Sequence, residues 1–175
     1  SGVLHALIFS AFIVLFTAII RAFGSGLFPG FSLAAIGGNT WIAGLQEVFT
    51  ILILVGLGMA LWQRLVMRPA RFQGSNRGDA LLIYLLVFGV VITMLMEFAF
   101  QIAAGENASA AWRPVTSTIA GALTALGISN ERAHTGQEIF YWAHVIVILS
   151  FLMYIPGSKH RHMFTAGPNI FMRSL

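Results

Sequence analysis

Residues 144–162 read "HVIVILSFLMYIPGSKHRH". Residues 145–155 carry no charge, and the run closes on Pro-Gly-Ser-Lys with two more histidines. If the run is one helix, His144 and His162 lie 18 residues apart. That is five turns at about 3.6 residues per turn, so they share a face and differ in depth by roughly 27 Å. His160 is 16 residues on from His144 and turned about 160° around the axis. It therefore points elsewhere. Pro156 is where a kink would change this phase.

The rest of the chain fits a helix of that kind crossing a bilayer. Of 175 residues, 58% are hydrophobic and 9% charged, against about 25% charged in a soluble domain. So few charges could not cover a water-facing surface, which points to an integral membrane protein of all-α class. Lys and Arg number ten against six Asp and Glu. In a membrane chain that excess bears on orientation rather than on nucleic acid. There is no cysteine, which excludes disulfides, thiolate metal sites and a Cys-ligated iron–sulfur cluster in this segment. The chain opens on Ser-Gly, and further sequence before Ser1 is expected. The first apolar run lacks the basic start and small-residue site of a cleavable signal peptide.

Four stretches are long enough to cross, which takes about 20 residues: 3–22, 41–63, 80–104, and 139–155 extended into 156–162. A helix bundle of about four transmembrane helices is predicted over residues 1–162, with 163–175 as a tail. The second loop carries Arg64, Arg68, Arg71 and Arg77 against Asp79, and the tail carries Lys159, Arg161 and Arg173. The positive-inside rule puts that loop and the tail in the cytoplasm, as in a multi-pass protein of a bacterial plasma membrane. The third loop is long and balanced. Within it, residues 114–126 read as a short helix with Pro114 at its start and Val115, Ile119, Leu123 and Leu126 on one stripe. Too short to span, it is expected to lie on the outer surface.

Ionisable groups inside such helices are costly, and each is a site hypothesis. They are His5, Glu47, Glu97 and His144, with His160 and His162 at the end of the last helix. His5 and His162 fall at one inner depth on antiparallel helices, where two imidazoles can hold the axial positions of a haem iron. Glu47, Glu97 and His144 form an outer layer, where the first helix offers Leu15. The plainer alternative makes each histidine an interfacial residue and lets the glutamates cap backbone or pair with Arg21. Met94, Met96 and Met153 read as packing residues.

The spacing of His144, Pro156, Ser158, Lys159 and His162 resembles the last helix of the cytochrome b (gamma) subunit of respiratory nitrate reductases. "LHALIFSAFIVLF" (residues 4–16) is similar to that family's earlier ligand helix. Residues 141–175 look still more like the membrane part of heterodisulfide-reductase-like (Fe-S)-binding proteins. That branch includes the electron-transfer-flavoprotein:menaquinone dehydrogenases of actinobacteria. The resemblance covers residues 1–22 and 138–175. It implies haem b held by His5 and His162, and menaquinone as substrate. It also implies an iron–sulfur protein or domain, or an electron-transfer flavoprotein, as cytoplasmic partner. The family's outer haem uses the position of His144 and a histidine where Leu15 stands, so a second haem is left open. His144 could instead work with Glu47 or Glu97 at a quinone or proton site, while His160 and Lys159 are candidates for haem-propionate or quinone contact. The reading is a membrane electron-transfer subunit or domain of a quinone-linked oxidoreductase, not a complete enzyme by itself. A haem-free membrane anchor is the alternative. A transporter would want broken helices or inverted repeats, and the sequence shows neither.

Overall fold

The computed structural model of the chain describes residues 2–67, 77–154 and 157. Among them there are five α-helices and no strand: α1 (Gly2–Leu27), α2 (Trp41–Trp62), α3 (Arg77–Ala103), α4 (Pro114–Ala125) and α5 (Asn130–Tyr154). A π-helical turn, Gln63–Met67, prolongs α2. Three stretches are long and apolar enough to cross a membrane: Trp41–Met67, Gly78–Ala103 and Asn130–Tyr154. The apolar part of α1 among the residues with described side chains is shorter, Ile13–Leu27.

The exposed surface shows which solvent these helices meet. On α2 the outward residues are Trp41, Leu45, Val48, Leu52, Val55, Met59 and Trp62, all exposed. Their spacing of alternately four and three residues makes one continuous apolar stripe along the helix. On α5, Ile139, Trp142, Ile146, Leu149 and Met153 are likewise exposed. Patches this long are a liability in water and the expected outer surface in lipid. Met153, read as a packing residue, is 82% exposed and belongs to this surface. Met94 is buried as expected.

α3 is the central helix, packed against α5, α4 and α2. Val91, Met94, Leu95, Phe98 and Ala99 are its buried apolar residues around the middle. α1 presents Ala11, Ala18 and Ala22 to the bundle, small residues that let helix backbones approach in a membrane. α2 buries Ile42, Ala43, Gln46, Glu47 and Thr50, and none of its residues beyond Thr50 is buried. The tight packing is therefore concentrated at one end of the bundle, which α4 closes.

α4 begins at Pro114, where the missing N–H costs nothing. It ends on Gly127, whose φ of 81° is left-handed; there the Ile128 N–H reaches back to the Leu123 carbonyl at 3.2 Å. The helix is where the sequence places it, but its inward face is not the apolar stripe. Thr116 and Ala120 are the buried residues, while Val115 and Leu126 are exposed. A polar partner, described below, draws the Thr116 side inward. α5 begins nine residues before the expected start at 139, because Asn130–Glu138 is too polar to register as a span yet continues the helix, with Glu131 in its favourable first turn. His144 is consequently mid-helix.

Candidate functional site

Three helices meet around a cavity of about 450 Å³ at the α4 end of the bundle. α1 supplies Arg21, α3 supplies Glu97 and Gln101, and α5 supplies Tyr141 and His144. Met94, Phe98 and Ala18 form an apolar part of the lining and one buried cluster, with Leu15 packed against it. Ser25, Gly26, Glu138 and Trp142 also line the cavity, and all four are exposed. The cavity thus has a buried floor and an exposed rim. The Tyr141 hydroxyl donates to the Ala22 carbonyl at 2.8 Å and ties α5 to α1 along its wall.

His144 is 2% exposed. Its Nδ1 lies 2.9 Å from the Thr93 hydroxyl, and that hydroxyl donates to the Gly89 carbonyl at 2.7 Å. If the Thr93 hydroxyl gives its proton to that carbonyl, it accepts from the ring, which puts the hydrogen on Nδ1 and leaves the Nε2 lone pair free. This is how proteins orient a histidine for a ligand or a proton.

A belt of hydrogen bonds runs beside the cavity. Arg21 donates to Gln101 Oε1 at 3.1 Å, and Asn107 donates to the same oxygen at 2.9 Å. Asn107 Oδ1 accepts from the backbone N–H of Ser109 at 2.8 Å and from its hydroxyl at 2.5 Å. Ser109 accepts from Arg113 Nε at 3.2 Å, and Arg113 also donates to Gln46 Oε1. Gln46 donates to the Thr17 hydroxyl at 2.8 Å. The chain of bonds leaves α1 at Arg21 and returns to it at Thr17, passing through α3, the following loop and α2. Both guanidiniums sit over the Phe98 ring, Arg21 at 4.7 Å and Arg113 at 3.8 Å from its centroid. Burial, and then the neighbouring Arg21, pulls Arg113 down to about 10, against the pull of Glu47 and Glu97. It stays charged at neutral pH.

The two buried glutamates differ. Glu47 Oε1 accepts the backbone N–H of Thr116 at 2.7 Å, and Oε2 accepts the Thr116 hydroxyl at 2.5 Å. α2 thereby caps the first turn of α4 from outside, and the carboxylate meets the positive end of that helix. This is the polar partner that turns Thr116 inward. Glu97 makes no hydrogen bond among the described residues; it lines the cavity and has Arg21 and Arg113 as its charged neighbours.

The structure brings Glu97 and His144 to one cavity and places Glu47 beside it, outside the lining. His5 lies in α1, ten residues before Leu15, roughly 15 Å along the axis and on the side away from α4. The side chain of His5 and the whole of Lys159, His160 and His162 lie outside the described residues. Leu15 packs on the cluster of Ala18, Met94 and Phe98, so this level has no second histidine to face His144 among the described residues. Gln46, Thr93, Arg113 and Tyr141 join the site without having been singled out as its members. Arg21 was named only as a charge partner for the glutamates, and here it neighbours Glu97.

Over all 175 residues the chain is 29% identical to a protein of Bacillus subtilis (strain 168) named "Probable iron-sulfur-binding oxidoreductase FadF". It spans 24% of the length of that relative. No family model matches the chain, and no solved structure matches it.

Proposed function

We propose that this chain is a membrane electron-transfer module of an iron–sulfur oxidoreductase, exchanging electrons between a cytoplasmic iron–sulfur or flavin donor and menaquinone. The observation that carries the reading is the cavity: a half-open space among apolar helices, with Arg21, Glu97 and an oriented His144 in its lining. A planar head group with two carbonyl oxygens needs hydrogen-bond donors, proton-exchanging groups and apolar walls in one place. Arg21 and Gln101 can bind an oxygen, Met94 and Phe98 can cover the ring, and the exposed rim beside Trp142 gives a path from the lipid.

The similarity to an iron-sulfur-binding oxidoreductase along the whole chain supports a redox partner for this module. With no cysteine in the chain, the cluster belongs to another part of the protein or to another chain. α1 acts as a fourth crossing beside the three long apolar spans. The arginine-rich loop between α2 and α3 faces the cytoplasm and α4 the outer side. A b-type haem, implied by the sequence resemblance, would be held by His5 and His162 and would supply a one-electron carrier within the membrane. The His144 level does not fit a second one, because Leu15 offers no ligand there.

A reduced-minus-oxidised spectrum of the purified protein tests the reading. A b-type alpha band is expected, lost in His5→Ala and in His162→Ala and kept in His160→Ala. A colourless wild-type preparation would leave the membrane-anchor alternative.

A further inference from the structure

Among the acids of this bundle, Glu97 stands apart by what it lacks. Glu47 is 4% exposed and has both oxygens occupied by Thr116. Glu97 is 7% exposed, is in the cavity lining, and makes no hydrogen bond among the described residues. A carboxyl in a cavity wall with no protein donor takes its hydrogen bonds from a guest or water. Its neighbours are arranged for a change of charge: the guanidiniums of Arg21 and Arg113 lie over the Phe98 ring next to it and can stabilise a carboxylate as it forms. Both are fastened by hydrogen bonds to Gln101, Gln46 and Ser109, so neither has to move. Glu138, exposed at the rim, is a second carboxyl on the way to the surface.

We infer that Glu97 is the proton-exchanging acid of the quinone reaction, working with His144 in this cavity and reloaded through the rim at the α4 end. The inference rests on the menaquinone reading above and adds the residues and the side from which protons come. In reduction, the quinone gains two electrons from the donor and two protons. Glu97 gives one proton to one ring oxygen and becomes a carboxylate beside Arg21 and Arg113. The second proton reaches the other oxygen from water at the rim, where the neutral His144 ring, held beside Thr93, can share a hydrogen bond with the O–H that forms. Water at the rim also reloads Glu97. Quinol oxidation runs the same transfers backwards.

The test uses the complex with its iron–sulfur partner in lipid vesicles, and separates two rates. One is reduction of the bound redox centres by the donor. The other is their reoxidation by a short-tailed menaquinone. Glu97→Gln is expected to leave the first unchanged and slow the second about a hundredfold, with partial recovery in Glu97→Asp. Glu131→Gln, which removes an exposed acid outside the cavity lining, is expected to change neither. Dicyclohexylcarbodiimide, a carboxyl reagent that partitions into the bilayer, supplies a readout on the unmutated complex. It is expected to label Glu97, not Glu47, and the short-tailed menaquinone is expected to protect the site. Normal reoxidation in Glu97→Gln, or labelling of Glu97 that the quinone does not affect, overturns the inference and leaves the module reading standing. Absence of reoxidation in the wild-type complex defeats the module reading itself.

Discussion

Glu47 and Glu97 are both acids in an apolar chain, and what distinguishes them is the supply of donors around each. Glu47 has an N–H and a hydroxyl from one residue, Thr116. Removing that hydroxyl leaves one carboxylate oxygen buried without its partner, at a cost of about 1–3 kcal/mol. Thr116→Val is therefore expected to lower stability by that amount and Thr116→Ser to restore it, measured by denaturant unfolding in detergent. Arg113 completes the arrangement from the other side, bonded to Ser109 and Gln46 and 2% exposed. Losing a buried charge that balances others costs about 3–5 kcal/mol, so Arg113→Gln is expected to weaken the fold more than Thr116→Val in the same assay. The pH dependence has a definite sign. Folding lowers Arg113 from the usual guanidinium range to about 10, so between those values the unfolded chain binds more protons than the folded one. The contribution of this group to stability rises across that window. Below about pH 10 both states are protonated, and from pH 6 to 9 this arginine is expected to add no slope to the unfolding curve.

At the scale of elements, close packing of α5 on α3 holds the cavity open. Gly136 faces the Phe100 ring, which a Cβ at that position would meet, and Phe100 stacks on Phe140 with centroids 5.5 Å apart. Gly136→Val forces the two helices apart at the level of the polar belt. Overpacking of this kind costs about 1–3 kcal/mol and is expected to appear both as a lower melting temperature in detergent and as weaker binding of a short-tailed menaquinone. The same elements show what the sequence carried. Hydropathy placed α2 and α3 within a few residues, since an apolar run has only one solution in a bilayer. Pro114 marked α4. The start of α5 was hidden because its first turns are polar and lie at the bundle's end, where composition no longer reports helix. The inward face of α4 was hidden for another reason. Thr116 turns inward because Glu47, 69 residues away, needs donors, and no local period encodes a partner that distant. The same holds for the cavity: His144 and Glu97 were legible as costly residues, whereas their meeting with Arg21 depends on how three helices cross.

For the whole molecule, polarity is distributed unequally between the two ends. The α4 end holds the belt of amides, hydroxyls and paired charges, and it also holds the cavity rim. The opposite end carries Arg64 after α2 and Asp79 at the start of α3, where Tyr154 of α5 donates to the Asp79 carboxylate. The sequence adds Arg68 and Arg71 between α2 and α3. In the topology proposed above, a basic loop of that kind lies on the cytoplasmic side, the α4 end faces outward, and protons would reach Glu97 from there. These 175 residues hold no cysteine, so a single substitution places one thiol within them, and labelling is read against the unsubstituted protein. Leu126→Cys sits just past α4 at a residue 81% exposed, and Ser75→Cys sits in the arginine-rich loop. In intact cells a membrane-impermeant maleimide is expected to label the first and spare the second, with both labelled after the membrane is opened. Labelling in the reverse order would put the cavity rim in the cytoplasm, and the proton supply of Glu97 would then come from the same side as the electrons.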